Sequence, residues 1–450
     1  MINFKVNVFL FLLFVTLNTF GATIAIIDSG TDMGHEAISP YAWNNPIDIP
    51  QNNRDEDGNG YQDDFYGWNF AESNNQVIDY SYLGLLNEDI EKFFDIQAKM
   101  MVGEASDEEM SWLRKMVSNE DFIKRLSVYG NFMHGTHVAR IAARKTLESK
   151  LIAIKLIPTE VKLPVPADGE EKFISLTSGL KDKLIKFSLR KLAEQQMKLL
   201  KEISEYVKFH EANVANGSFG TGFAQAKMLI KTVAEALKLD LTTEEVEKYS
   251  KYFISELITN GNDMVAISPS TLFVFAAGND GSDNDNYPTS PANIRADNVV
   301  TVAATVGYGQ LAPFSNYGKT TVDVAAPGYA IESAVPGDKY LKVSGTSQAA
   351  PYVAGVAGKM LEANKSLSSS SLKRIILETV DKKDYLEGKV LSSGVINSMR
   401  AVRAAELSMF NSLDESINMA HQEVRDNPVL KKQTELVKVP VMPLPSIFTF

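Results

Sequence analysis

The sequence predicts an α/β fold in which a mainly parallel central sheet lies between layers of helices, and two observations predict it. Short apolar runs at 22–28, 151–157, 212–215, 272–276 and 299–304 lack the polar alternation of a half-exposed strand, as strands buried on both faces of a parallel sheet do. Helical patterns separate these runs, which is the order that covers a sheet with helices. Length and composition permit such a fold. At about 150 residues per domain the 450 residues could form roughly three domains, and 44% hydrophobic with 22% charged residues is enough to bury a large core.

Residues 1–21 read as a signal peptide. Lys5 precedes the apolar run 8–15, and Thr19 and Gly21 are small residues before Ala22. The run is shorter than the ~20 apolar residues of a membrane span, so no stable membrane insertion is expected once the leader is removed. A buried N-terminal strand or an anchor are the other readings. Without a cysteine after the run, a bacterial lipid anchor is not available.

The first strand, 22–28, ends at Asp28 followed by Ser29-Gly30. Open α/β sheets place their sites at the carboxyl ends of strands, although many strands end in aspartate for other reasons. Residues 79–130 and 160–210 are long, mixed-charge and helical. In the first, Leu83, Leu86, Ile90, Phe93 and Phe94 recur at the spacing of one helix face. Both are expected as surface insertions packing one face on the core, or as elements that shape or cover a site. A third amphipathic stretch runs over 224–257.

His134 lies in HisGlyThrHisValAla (134–139), at the entrance to a helix-like run over 138–143. The pair His134 and His137 lacks the glutamate of the metalloprotease spacing, so a metal there is a poor match. Ser347 lies in GlyThrSerGlnAlaAlaPro (345–351), ahead of a small-residue helix. At a helix N-terminus its hydroxyl could cap the helix, or sit where the partial positive charge favours a developing oxyanion. A neutral serine needs a base to take its proton, and the base needs a carboxylate to hold its tautomer. The chain supplies one of each, in the order Asp28, His134, Ser347.

IleIleAspSerGly, HisGlyThrHisValAla and SerGlyThrSerGlnAlaAlaPro occur in that order, with ProPheSerAsnTyrGly (313–318) and AspValAlaAlaProGly (323–328) between the last two. On these segments the chain resembles a subtilisin-like serine protease, a subtilase of peptidase family S8. The order of the three residues is the one general knowledge assigns to subtilisin. The resemblance implies a subtilisin-like three-layer sandwich and a serine endopeptidase acting on polypeptides through a Ser-His-Asp triad and an acyl-enzyme. It implies that Asn279, in AlaAlaGlyAsn (276–279), donates to the oxyanion together with the Ser347 backbone N–H. A turn residue before Asp280-Gly281 is the other reading of Asn279. It further implies that Ser218, Phe219 and Gly220 form a substrate strand and line the primary specificity pocket with Ala276, Ala277 and Gly278. These walls carry no charge, so an apolar or aromatic preference is expected.

A loop at 55–64 places oxygen-bearing residues at alternate positions around glycines. Asp55, Asp57, Asn59, the Tyr61 carbonyl and Asp63 supply five oxygens where calcium takes six to eight. Tyr66 stands where an EF-hand has glutamate, so the loop is either a structural calcium site of another kind or an acidic Asx-turn. Bound calcium is common in the family that the chain resembles; the chemistry itself needs no cofactor.

The sequence also departs from that family. Arg140 replaces the usual glycine of the histidine helix and needs room or a partner. An insertion follows 151–157 in place of an edge strand, so the extended substrate pockets do not carry over. The leader runs straight into the first catalytic strand, whereas subtilases are usually made with a propeptide; either the chain folds unaided or upstream sequence is missing. A catalytically degenerate subtilase serving as a binding or scaffold protein is the alternative that these departures suggest.

Composition excludes other classes. The absence of cysteine removes disulfides, thiolate metal sites and a cysteine nucleophile. A net charge of −11 argues against nucleic acid as a partner. The stretch 79–125 accounts for −5 of it, with 11 acidic and 6 basic residues, so much of the acidity belongs to an insertion. Because Asp28, His134 and Ser347 must meet at one site, 22–401 is expected to be one enlarged peptidase domain. Residues 402–450 are expected to be a helix and a proline-containing tail, ValProValMetProLeuPro (439–445), whose prolines disfavour helix and central strand. Its composition suggests a flexible end, with a docking peptide as the other reading. An exported protein is the expected outcome of the leader.

Overall fold

The computed structural model describes residues 21–161, 178–429, 442 and 444–446; the leader and the first part of the second insertion lie outside them. The predicted strands are present as β1 (Thr23–Asp28), β3 (Lys150–Lys155), β4 (Val214–Gly217), β5 (Leu272–Ala276) and β6 (Val299–Val306), and an unpredicted strand, β2 (Gly67–Asn69), lies between the first two in the chain. Short strands follow: β7 (Gln310–Leu311), β8 (Val324–Pro327), the hairpin β9 (Ile331–Val335) and β10 (Lys339–Val343), β11 (Asp381–Lys382) and β12 (Gly394–Val395). The sheet order is β11-β12-β8-β6-β5-β4-β1-β3-β2, with β7 on β6 and the hairpin apart. Pairing is parallel except β11 on β12 and β7 on β6.

The parallel order explains the apolar runs. Every residue of β5 is buried, as are Ile24 to Asp28 in β1, because each strand faces one helical layer above and another below. Alternate residues divide between two cores: Ile24, Ile26, Val274 and Val302 join one cluster, and Ala25, Ile27, Phe273 and Phe275 join the other. The chain therefore has the three-layer α/β architecture.

The first insertion folds as α1 (Glu88–Met101), α2 (Asp107–Val117) and the start of α3 (Glu120–Ala143). Asn87, Ser106 and Asn119 cap the three helices by accepting from backbone N–H groups in the first turn. Contrary to expectation, His134 is not at a helix entrance. It lies inside the 24-residue α3, because Phe122, Leu126, Tyr129, Phe132 and Met133 bury one continuous face with Phe93, Val335 and Val343. The insertion and the histidine helix are thus one rod, so the insertion's packing sets the placement of His134.

The described part of the second insertion is α4 (Ser178–Phe209). The stretch 224–257 divides into α5 (Phe223–Ala236) and α6 (Thr243–Ile267). The break falls where Lys238 takes a positive φ of 53° and Thr242 with Glu245 forms a capping box. After β10 come α7 (Thr346–Ala363), α8 (Ser369–Glu378), α9 (Ser398–Leu407) and α10 (Leu413–Glu423). Ala404, Leu407, Ile417 and Ala420 join the same core as β1, so the chain beyond 401 packs on the sheet as far as α10.

Candidate active site

Three elements converge at the carboxyl end of the sheet. Asp28 is the last residue of β1 and is fully buried. Its Oδ1 accepts from His134 Nδ1–H at 2.6 Å and from the Ser29 backbone N–H at 2.8 Å. Its Oδ2 is buried with no hydrogen-bond partner among the described residues. This approach requires α3 to press onto the loop after β1. Gly30 has φ +110°, and a Cβ on Gly135 would overlap the Gly30 carbonyl oxygen and stand 3.2 Å from Asp28 Cβ. Only glycine permits such contact, which gives Gly135, directly after His134, a steric role.

Ser347 is the second residue of α7. Pro351 lies four residues on and has no N–H, so the Ser347 carbonyl lacks its usual helical donor. Ser218 Oγ donates to it instead at 3.0 Å, and Ser347 Oγ donates to the Ser218 carbonyl at 3.3 Å. Among the described residues, Ser347 and His134 do not hydrogen-bond to each other, although both line one cavity. Looser contacts between nucleophile and base are common before substrate binds.

Asn279 is held as an oriented donor. Its Oδ1 accepts from Thr346 N–H at 2.9 Å and Thr346 Oγ–H at 2.8 Å, and Thr346 Oγ1 accepts from Gly278 N–H at 3.1 Å. The amide nitrogen is left to face the cleft, where it donates to the Met442 carbonyl at 3.0 Å. Thr346 was missed in the sequence; the signal available was its position directly before Ser347. The Ser347 N–H is among the first four of α7, which have no partner within the helix.

The predicted substrate residues divide. Ser218 contacts Ser347 as above, and Gly220 N–H donates to the Pro445 carbonyl at 2.9 Å. Phe219, Ala276 and Ala277 are buried in the core clusters. A Cβ on Gly278 would meet the Asn316 side chain. The cavity of about 190 Å³ beside His134, Asn279 and Ser347 is lined by Leu126, Met133, Val343, Met442 and Leu444, and not by 276–278. These apolar walls come from α3 and β10 and from the tail, which the sequence reading did not bring to the site.

His137 is structural. It is fully buried, its Nε2–H donates to the Leu341 carbonyl at 3.0 Å, and burial pushes its pKa down to about 3. Arg140 is half-buried, and its Nε and Nη1 have no hydrogen-bond partner among the described residues. The guanidinium that replaces the expected glycine thus fits with two of its three nitrogens buried and unpartnered among the described residues.

The acidic loop is rearranged relative to the sequence reading. Asp63 has a turn-capping role: its two oxygens accept from the N–H groups of Asn52 and Asn53 at 3.0 and 2.8 Å. The Asn59 oxygen likewise accepts from Tyr61 N–H at 2.7 Å, and its amide nitrogen donates to Asp57 and Asp64. Asp48, 3% exposed, joins Asp55 and Asp57, with oxygens within 4.8 Å of one another. Asp48 Oδ2 is buried with no hydrogen-bond partner among the described residues, and burial raises its pKa. Oxygen donors of this kind fit a hard divalent cation such as calcium. Asp57 and Asp64 also approach His210.

A 42% identity over 132 residues relates the chain to a thermophilic serine proteinase of Bacillus sp. (strain AK1), covering 29% of this chain and 31% of that protein. Thermitase of Thermoactinomyces vulgaris is 40% identical over 133 residues, 30% of this chain and 44% of that one. These alignments span less than half the length of either relative. The crystal structure of a lanthipeptide protease is 15% identical, covers 86% of this chain and 88% of its own, and has a TM-score of 0.47. The family model for peptidase S8 matches residues 20–395, a span that holds Asp28, His134, Asn279 and Ser347 together, and on it the chain belongs to the subtilase family.

Proposed function

We propose that the chain is an exported serine endopeptidase. The observation that carries this reading is the 2.6 Å bond from His134 Nδ1 to the buried Asp28, with Nε2 of the same ring left for Ser347 across a shared cavity. His134 takes the proton of Ser347 as its Oγ attacks a peptide carbonyl, and Asp28 holds the tautomer and stabilises the imidazolium. Asn279 Nδ2 and the Ser347 N–H stabilise the tetrahedral oxyanion. The imidazolium then protonates the leaving amine, and water, activated by the same ring, hydrolyses the acyl-enzyme. Apolar walls at Leu126, Met133 and Val343 favour apolar side chains in the bound polypeptide.

Calcium, where bound, would be held by Asp48, Asp55 and Asp57; its role would be to hold the loop, and no proton transfer depends on it.

A fluorophosphonate probe should label Ser347 between pH 6 and 9, with casein hydrolysis lost in Ser347→Ala. A folded Leu444→Asp chain, whose tail is displaced from the cleft, that is not labelled at any of these pH values would overturn the reading. The second reading, a degenerate subtilase that binds without cutting, draws on the Ser347 hydroxyl being directed to Ser218.

A further inference from the structure

Of the C-terminal end expected to be flexible, the described residues Met442, Leu444, Pro445 and Ser446 are packed in the cleft. Leu444 is 3% exposed and Ser446 is 4% exposed. Hydrogen bonds hold the described residues of this segment, among them Asn279 Nδ2 to the Met442 carbonyl at 3.0 Å, Gln225 Nε2 to the Leu444 carbonyl at 2.9 Å, Gly220 N–H to the Pro445 carbonyl at 2.9 Å, and a bond of 2.9 Å between the Thr221 and Ser446 hydroxyls. The Met442 side chain lies on Gly130 of α3, one turn before His134, where a Cβ would overlap its methyl group. Two of the donors, Asn279 and Gly220, are residues assigned to the oxyanion and to the substrate strand.

We propose that the tail segment bearing Met442, Leu444, Pro445 and Ser446 is an intramolecular inhibitor, these residues occupying the substrate cleft of the chain's own peptidase site. This rests on the peptidase reading above. The segment competes directly with substrate, since a scissile carbonyl needs the Asn279 donor that Met442 holds. Its direction also makes it a poor substrate. The primary pocket takes the side chain of the residue whose carbonyl is attacked, on the N-terminal side of the scissile bond. Here the residues on the substrate strand follow the carbonyl at Asn279, so the chain is threaded in the opposite sense. The bond after Met442 is, in addition, to Pro443, whose nitrogen is a tertiary amide.

A tethered segment acts at an effective concentration of order 1 mM. If the free segment binds with a Kd of about 0.1 mM, releasing the tethered copy raises kcat/KM about tenfold.

The test uses the full chain. Leu444→Asp places a carboxylate in the buried tail site and should raise kcat/KM on a short peptide about tenfold, with faster fluorophosphonate labelling. Met442→Lys, at a separate contact, should act in the same direction and serves if the first variant does not fold. A synthetic peptide of residues 439–450 should inhibit Leu444→Asp competitively and be recovered intact; the same peptide carrying Leu444→Asp should not inhibit. Rates equal to wild type in both folded variants would overturn the proposal, as would Ser347-dependent loss of the C-terminus from the wild-type chain. Binding of the fluorescent peptide to Ser347→Ala/Leu444→Asp reads the docking without turnover. Docking with no labelling or hydrolysis in any form would overturn the peptidase reading, and inhibition with it. Absence of docking alongside full activity would overturn the inhibitor alone.

Discussion

Thr346 donates through Oγ to Asn279 Oδ1 at 2.8 Å while accepting from Gly278 N–H at 3.1 Å, so one hydroxyl fixes which end of the Asn279 amide faces the cleft. Thr346→Val removes that hydroxyl and leaves the backbone donor. A net hydrogen bond contributes about 1 kcal/mol, so kcat should fall several-fold with KM changed less than about twofold. Asn279→Ala should lower kcat about 100- to 1000-fold. Steady-state kinetics on one peptide checks both, and a Thr346→Val effect confined to KM would count against this orienting role.

The Gly30–Gly135 contact predicts a steric sensitivity. Gly135→Ala forces α3 away from the loop after β1; overpacking of this kind costs about 1–3 kcal/mol and lengthens the Asp28–His134 bond. Melting temperature and kcat/KM should both drop. Gly179→Ala, at a position with open space around its Cβ, is the control and should leave both unchanged.

His137 should make the fold acid-sensitive independently of catalysis. Its folded pKa is about 3, pushed down by burial, against an ordinary value of 6.5. Above pH 6.5 both folded and unfolded forms are neutral, and nothing is lost. As pH falls from 6.5 towards 3 the unfolded chain takes up a proton that the folded chain does not, and stability declines by about 4–5 kcal/mol. Below 3 the decline from this group ceases. Denaturant midpoints measured from pH 7 to 4 in a Ser347→Ala background should therefore fall more steeply with His137 than with His137→Gln, whose amide can still donate to Leu341.

The acidic loop separates two ligand sets. If Asp48, Asp55 and Asp57 hold calcium, chelator should lower the melting temperature and added calcium restore it; occupancy at 100 times Kd is equivalent to about 2.7 kcal/mol. Asp48→Asn and Asp57→Asn should abolish the calcium-dependent increment. Asp63→Asn weakens the turn at Asn52 and Asn53 and should lower the melting temperature equally with and without calcium. Loss of the increment in Asp63→Asn, with retention in Asp48→Asn, would restore the ligand set drawn from the loop spacing.

Much of the sheet was legible because its chemistry is local. The run at 272–276 is unbroken apolar and that at 299–304 is interrupted only by Thr301, so their strand character and burial on both faces follow from residues within a few positions. The motifs around Asp28, His134 and Ser347 were legible for the same reason, each being a short segment at the end or inside of one element. Boundaries were less so. The sequence could not show that 120–143 is a single helix, since that depends on Phe122, Leu126 and Phe132 finding Val335 and Val343 about two hundred residues away.

By itself, then, the sequence determined the α/β layering and the subtilase resemblance, and it picked out Asp28, His134, Asn279 and Ser347 as candidates. Tertiary structure alone decided that Thr346 orients Asn279, that Asp48 and not Asp63 completes the acidic cluster, and that Met442 and Leu444 lie in the cleft. The physical reason is common to all three. Each depends on which atom of a polar group meets which distant partner, or on where a tail finds an apolar wall and free N–H donors; composition fixes what such groups can do, and only the packed chain fixes where they meet.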